Sequence, residues 1–169
     1  MQPQNPIEVF FSYAREDEHL KDKLADQLAV LQRLGVITKW DDQMISPGTE
    51  WKAEIQRHLN SAQIILLLVS AKFLASEFCY SVEMKRAMER HDRGEARVIP
   101  VILRSCHWTA APFGNLQALP KNAKPVTKWK DMDEAFENVA KGVEIAVRRL
   151  RPPHPQQAHR RREMLRWWA

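Results

Sequence analysis

The sequence predicts a three-layer α/β domain with a five-stranded parallel sheet and helices on both of its faces. Residues 64–69 are six consecutive aliphatic residues without any polar alternation. Such a run is typical of a strand that is buried on both faces, as in a parallel sheet covered by helices. Stretches of strand and helix character alternate along residues 1–150, the order expected of βα units. The length of 169 residues suits one domain of ordinary size.

The first half of this domain predicts two strands, each followed by a helix. Residues 7–11 and residues 36–40 are short apolar segments of strand character. Gly35 stands where a helix usually ends, and a turn-rich loop occupies residues 41–49. The apolar positions that define one face of each helix are Leu20, Leu24, Leu28 and Leu31 in the first, and Trp51, Ile55 and Leu59 in the second.

The second half continues the alternation after the strand at residues 64–69. A helix is predicted over about residues 81–91, with Glu83 away from its apolar stripe of Met84, Ala87 and Met88. Residues 98–103 predict a fourth strand, in which Pro100 indicates a bulge or a position near the sheet edge. A short last strand is expected at residues 124–126. The final helix carries the buried stripe Phe136, Val139, Ala140, Val143, Val147 and Leu150. The sum is a flavodoxin-like topology.

Several chemistries are excluded by what this order of elements lacks. No glycine-rich phosphate loop follows the first strand, which argues against classical nucleotide binding. A phosphoacceptor receiver domain needs an aspartate at the end of the third strand, where this chain has Ser70. The six histidines show no zinc or triad spacing, and Cys79 and Cys106 are isolated thiols. We therefore expect no metal, no disulfide and no bound cofactor.

The net charge of +5 is concentrated at the end of the chain. Residues 151–169 contain five arginines and one glutamate, which leaves 21 basic and 20 acidic residues for residues 1–150. A nearly neutral domain disfavours specific nucleic-acid binding. Residues 151–169 are interpreted as a Pro/Arg-rich linker or tail: a disordered end, a lead into a missing domain, a basic-aromatic membrane-surface segment or a docking helix. No segment has the length of a membrane span or the pattern of a secretory signal, so a cytoplasmic location is expected.

The carboxyl ends of the strands are where a ligand is expected, because open α/β sheets bind ligands in the crevice beyond those ends. Glu83 follows the third strand and is the candidate catalytic residue, although a glutamate in the first turn of a helix is also favoured by the helix dipole alone. The candidate contacts for a ligand are Ser12, Tyr13, Arg15, Trp40 and Asp42. For Trp40 an ordinary core role stays open, and Arg15 has Glu16 and Asp17 as possible partners.

The order and spacing of several motifs resemble the bacterial type of Toll/interleukin-1 receptor (TIR) domain, over roughly residues 5–150. The motifs are VFFSYARED at 9–17, WDD at 40–42, SPG at 46–48, the segment 70–83, IPVIL at 99–103, PFG at 112–114 and KPV at 124–126. The resemblance implies either an enzyme that cleaves NAD+ or a scaffold that only assembles. The enzymes carry a glutamate in a Trp-x-x-x-Glu arrangement, to which Cys79 and Glu83 correspond here. Cys79 replaces the tryptophan that forms part of the substrate pocket; we interpret it as a tolerated variant and a further candidate substrate contact.

The resemblance therefore implies an NAD+ nucleosidase that acts as a self-associating effector in bacterial defence signalling, with NAD+ as substrate rather than cofactor. The alternative is a non-catalytic module that binds other TIR domains. Nicotinamide is a cationic leaving group, so one carboxylate can suffice where other glycosidic bonds need two. The loop at 43–48 is expected to mediate association between copies. The sequence leaves open whether the ADP-ribose product is linear or cyclic. It also leaves open what triggers the domain and whether copies form a dimer or a filament.

Overall fold

A computed structural model describes residues 5–150. The segment 151–169, interpreted above as a linker or tail, lies outside the described residues. Four parallel strands form one sheet in the order β2-β1-β3-β4. The strands are β1 (Ile7–Ser12), β2 (Ile37–Trp40), β3 (Ile64–Val69) and β4 (Arg97–Ile102).

Five α-helices cover the two faces of this sheet. They are α1 (Glu18–Arg33), α2 (Trp51–Ser61), α3 (Ala71–Ala75), α4 (Val82–Asp92) and α5 (Met132–Leu150). Helices α1 and α5 share one apolar cluster with one face of the strands, and α2, α3 and α4 share a second cluster with the other face. The predicted three-layer α/β architecture is confirmed. Within residues 5–150, no helix is both long and apolar enough to cross a membrane.

The central strand β3 is the best-buried element, because all six of its side chains are inaccessible to solvent. Burying each large aliphatic side chain contributes roughly 1.5–3 kcal/mol. The four leucines predicted to face the core from α1 are buried, as are Phe136, Val139, Val143 and Val147 in α5. This packing fixes the ends of the strands, and therefore the loops beyond them.

The fifth strand expected at residues 124–126 is not formed, and the short helix α3 was not predicted. Residues Val126–Lys128 form a 3-10 turn instead. The place beside β4 is taken by Leu119, which forms a single parallel bridge with Val101. Its N–H donates to the Pro100 carbonyl at 2.8 Å, and its carbonyl accepts from Ile102 at 2.8 Å. Pro120 and Pro125, which lack a backbone N–H, limit the ladder on this side.

Pro100 lies in β4, at the end of the described sheet, which agrees with its predicted position near an edge. Its carbonyl points outward to Leu119 rather than inward to β3, so the missing proline N–H interrupts no bond between β3 and β4. Gly142 of α5 allows the close approach of Leu119: a Cβ there would lie 2.7 Å from both Leu119 methyl groups.

Candidate active site at the carboxyl edge of the sheet

A small apolar pocket opens beyond the carboxyl ends of β1 and β2. Its volume is about 140 Å³. Ser12, Tyr13, Trp40 and Asp42, four of the residues expected to contact a ligand, all line it. The remainder of its wall comes from Phe10, Phe11, Trp51, Ile55, Phe73, Ser76 and Phe78. The pocket thus brings together residues that are up to 68 positions apart in the sequence.

A second, polar pocket of about 370 Å³ adjoins the first. Tyr13, Asp42 and Trp51 line both pockets, and Arg15, Glu18 and Gln43 line only the polar one. The Arg15 side chain is exposed and forms no hydrogen bond or salt bridge within residues 5–150. Its guanidinium is therefore available to an anionic group, and guanidinium binds phosphate or carboxylate with two parallel hydrogen bonds.

Tyr13 and Asp42 are joined across the boundary of the two pockets. The Tyr13 hydroxyl donates to Asp42 Oδ1 at 2.9 Å. Partial burial, that hydrogen bond and the nearby charges of Asp42, Asp41 and Glu18 raise the pKa of Tyr13 well above its usual value. The phenol therefore stays protonated, and it holds the Asp42 carboxylate at the mouth of the apolar pocket.

The loop after β2 is held by a buried lysine. Lys21 of α1 reaches Asp41 Oδ2 at 3.4 Å and donates to Gln43 Oε1 at 2.9 Å. Burial lowers the pKa of Lys21, but the adjacent Asp22 and Asp41 outweigh that effect and raise it overall. Asp41 also accepts from the Gln43 backbone N–H at 2.9 Å and so caps the turn Asp42–Met44. Sequence reasoning missed Lys21 because it lies within a helix of leucine periodicity.

A second buried carboxylate ties the ends of β1, β3 and β4 together. Asp17 is 2% exposed, accepts a hydrogen bond from Ser70 Oγ, and pairs with Arg104 Nε at 3.0 Å. Ser70 Oγ also accepts from the Phe73 backbone N–H and caps α3. Asp17 is thus paired with Arg104, 87 positions away, and not with Arg15. Nothing in the local sequence signals this partner.

Glu83 does not lie in either pocket. It is half-buried in the first turn of α4 and lines a separate groove of about 190 Å³ with Gln56, Leu59, Asn60, Val82 and Arg86. Within residues 5–150 its carboxylate makes no hydrogen bond or ion pair. The N-cap of the helix is supplied by Ser81, which accepts from the Met84 N–H at 3.2 Å. Glu83 therefore has no capping or pairing role in this structure.

Cys79 is fully buried, with 0% of its surface exposed, and burial raises the pKa of its thiol. It is not among the residues that line the apolar pocket, where the resemblance implied a place for it. Its neighbour Phe78 lines that pocket instead, so an aromatic wall is present one position earlier in the chain. The 3-10 turn Glu77–Tyr80 sets which of the two side chains faces the pocket, and sequence spacing alone does not report that choice.

The largest exposed aromatic surface at the site was not among the predicted contacts. Trp51 was assigned to the buried stripe of α2, but it is 56% exposed and lines both pockets. Trp40, by contrast, is only 6% exposed and already stacks with Phe10. A signal for Trp51 was its position directly after the turn-rich loop, where a helix begins and its first turn projects past the core.

A four-stranded parallel sheet between helical layers, with an aromatic and a polar pocket at its carboxyl edge, defines an open-sheet α/β domain with a candidate ligand site. The chain belongs to the TIR domain family, whose model matches residues 9–140. The resemblance seen in the sequence motifs is therefore confirmed.

The chain is similar to two known proteins, one by sequence and one by structure. The chain is 55% identical over 142 residues to "Uncharacterized protein y4lF" of Sinorhizobium fredii (strain NBRC 101917 / NGR234). That match covers 84% of this chain but 44% of the relative, so the chain spans less than half of the relative's length. Among solved structures it is similar to the TIR domains of the activated Roq1 resistosome recognising the pathogen effector XopQ, with 23% identity, 56% of each chain covered and a TM-score of 0.46.

Proposed function

We propose that this TIR domain hydrolyses the bond between nicotinamide and ribose in NAD+, as a self-associating effector of bacterial defence. The proposal is carried by the adjoining apolar and polar pockets, of about 140 and 370 Å³. An apolar cavity of roughly 150 Å³ holds a benzene ring, which is close to the size of nicotinamide. The ribose and phosphates suit the polar pocket, where Arg15 offers a guanidinium to a phosphate.

Hydrolysis of the nicotinamide–ribose bond requires mainly that the substrate be positioned and that the charge developing on the ribose be stabilised. Water adds to the anomeric carbon of the ribose, the electrons of the C–N bond leave with nicotinamide, and a proton passes to solvent. Because nicotinamide leaves as a neutral molecule from a cationic precursor, it needs no general acid. One carboxylate that stabilises the positive charge developing on the ribose supplies the electrostatic part of catalysis. Glu83 is the proposed carboxylate.

Glu83 and the apolar pocket are neighbours along α2. Ile55 lines the pocket and Leu59 lines the Glu83 groove, and these two residues are one helical turn apart, roughly 6 Å along the axis. The proposal requires that the pocket and the groove be joined in the active form. We propose that association of copies does so through the loop of residues 43–48, where Met44 is 54% exposed.

Asp42 is the competing carboxylate, because it lines both pockets while Glu83 lines neither. Its Oδ1 already accepts the Tyr13 hydroxyl at 2.9 Å, so only its other oxygen is open to a ligand. We therefore assign Asp42 to holding the ribose hydroxyls rather than to catalysis. Replacing each carboxylate by its amide separates the two roles.

The experiment measures nicotinamide release from NAD+ at several protein concentrations with a crowding agent, and resolves the products by chromatography. Wild type, Glu83→Gln and Asp42→Asn are compared with Glu77→Gln, an exposed carboxylate in the same segment. We expect Glu83→Gln to abolish turnover, Asp42→Asn to raise KM, and Glu77→Gln to match wild type. Activity per molecule should rise with concentration. Full activity in Glu83→Gln contradicts the proposal. The product released together with nicotinamide shows whether the ADP-ribose is linear or cyclic.

A non-catalytic TIR interaction module is the second candidate. Two observations favour it: Glu83 lies outside the apolar pocket, and Cys79, in place of the family's tryptophan, is buried away from it. An adaptor would self-associate with no release of nicotinamide at any concentration. The same experiment, with light scattering added to follow association, therefore distinguishes the two candidates.

A further inference from the structure

The ring of His58 stacks on the ring of Trp40, one of the residues that line the apolar pocket. The two ring centroids are 4.3 Å apart and the ring planes differ by 13°. Trp40 also stacks with Phe10, at 5.2 Å between centroids. The indole is therefore held by two protein rings, and its remaining surface forms part of the pocket wall.

His58 is itself held by a carboxylate on the first strand. His58 Nδ1 lies 2.7 Å from Glu8 Oε1, and the Ser61 hydroxyl donates to the other oxygen of Glu8, also at 2.7 Å. Because a carboxylate can only accept, Nδ1 carries the hydrogen of this contact. Glu8 is fixed in turn by its place in β1, where its backbone N–H donates to Gln63 Oε1 at 2.9 Å.

The second ring nitrogen has a partner in either protonation state. Arg57 Nη2 lies 3.4 Å from Nε2 and can donate to it when the imidazole is neutral. Glu54 Oε2 lies 3.7 Å from Nε2 and faces it when the imidazole is charged. The charged groups around His58 are thus Glu8 from β1, and Glu54 and Arg57 from α2, with Arg90 of α4 within electrostatic range of Glu8. The ring can gain a proton without losing its place.

We propose that His58 is a positioning residue for the Trp40 wall of the apolar pocket, and that its protonation changes the charge behind that wall while the stack persists. Imidazole is the side chain that changes charge between about pH 5 and 8. An imidazolium on the indole face makes a cation–π contact. It also places a positive charge near a pocket that, if the proposed function holds, receives the cationic nicotinamide ring. Ligand binding should therefore weaken as the pH falls.

Tryptophan fluorescence tests the stack without any need for activity. The chain has six tryptophans, so the Trp40 signal is taken as the difference between wild type and Trp40→Phe. Because an imidazolium quenches an adjacent indole, this difference should fall as the pH is lowered from 8 to 5. His58→Gln, which keeps an N–H donor for Glu8, and His58→Phe, which keeps a stacked ring, should both lose the transition.

The control is His19→Gln, which removes an exposed histidine of α1 and should keep the transition. Two variants at position 58 keep the test decisive if one of them does not fold, as judged by circular dichroism. The same pH transition in the folded His58 variants as in wild type would overturn the proposal.

The effect on the ligand rests on the proposed function and is read separately. We expect KM for NAD+ to rise roughly two- to fivefold in wild type between pH 8 and 5.5, the size of a modest cation–π or charge effect, with KM nearly flat in His58→Gln. A parallel KM profile in both proteins contradicts the role of His58 at the site. If no protein releases nicotinamide, the proposed function fails, whereas the fluorescence transition still decides whether His58 and Trp40 are coupled.

Discussion

Helices α1 and α5 on one face of the sheet bury six residues each, whereas α2 on the opposite face buries only Leu59. The sparsely packed α2 and the loop before it supply Asp42, Trp51 and Ile55 to the apolar pocket and Met44 to the surface. The densely packed pair supplies no residue to that pocket. Burial by these three helices is thus concentrated on the face of α1 and α5, and exposed surface on the face that carries the candidate pocket, as expected if a rigid scaffold positions binding loops.

The largest effect on stability should come from α5. Phe136→Ala removes a fully buried ring from the cluster shared by α1, α5 and the sheet, and should lower the free energy of unfolding by about 3–5 kcal/mol. Ile145→Ala in the same helix removes a side chain that is half exposed, and should change stability by less than about 1 kcal/mol. Urea unfolding followed by circular dichroism measures both. Equal losses in the two variants would contradict the difference in packing.

The same contrast explains what could be predicted from the sequence. The leucines of α1 and the stripe of α5 repeat at helical spacing because they are buried, and the aliphatic run of β3 is continuous for the same reason. In α2, Trp51 kept the helical spacing although the helix is barely buried, so periodicity predicted a core residue at an exposed position. The periodicity of apolar residues indicates which side chains are buried. It therefore gives little information about the exposed side chains of a binding site.

Long-range polar partners were equally beyond prediction. Asp17 with Arg104, and Lys21 with Asp41, are joined only because the fold brings the ends of different strands together. Phe78 rather than Cys79 lines the pocket, and this choice depends on the short 3-10 turn Glu77–Tyr80. By contrast, the convergence of Ser12, Tyr13 and Asp42 was predicted, because residues at the carboxyl ends of neighbouring strands lie close together.

A smaller loss should follow from Asp17→Asn. The amide keeps the size of the side chain but removes the charge that Arg104 Nε and Ser70 Oγ contact, which should cost about 1–3 kcal/mol of unfolding free energy. The control is Glu16→Gln, the adjacent exposed carboxylate, for which no change is expected. Thermal unfolding of the two variants beside wild type makes the comparison. An unchanged Tm in Asp17→Asn would mean that the buried cluster contributes nothing to tying the strand ends.

The Tyr13 phenol should give a pH-dependent effect. Its pKa is raised in the folded protein, so above about pH 10 the unfolded chain loses this proton and the folded chain retains it. The stabilisation is fully present below that pH and is lost as the pH rises. Wild type should thus lose stability at alkaline pH more steeply than Tyr13→Phe, as measured by urea unfolding at pH 8 to 11. Tyr80→Phe, at the other tyrosine of the chain, should follow wild type.

The smallest effect on stability should come from Trp51→Ala. This variant distinguishes most clearly between the face of the sheet covered by α1 and α5 and the face covered by α2. Because Trp51 is mostly exposed at the start of α2, its removal should change the free energy of unfolding by about 0.5 kcal/mol or less. The same change removes the aromatic surface shared by the apolar and polar pockets, so under the proposed function NAD+ turnover should fall roughly two- to tenfold, with partial recovery in Trp51→Phe. A stable variant with wild-type turnover would show that the exposed indole serves no ligand. A strongly destabilised one would show that α2 is anchored more firmly than its single buried residue indicates.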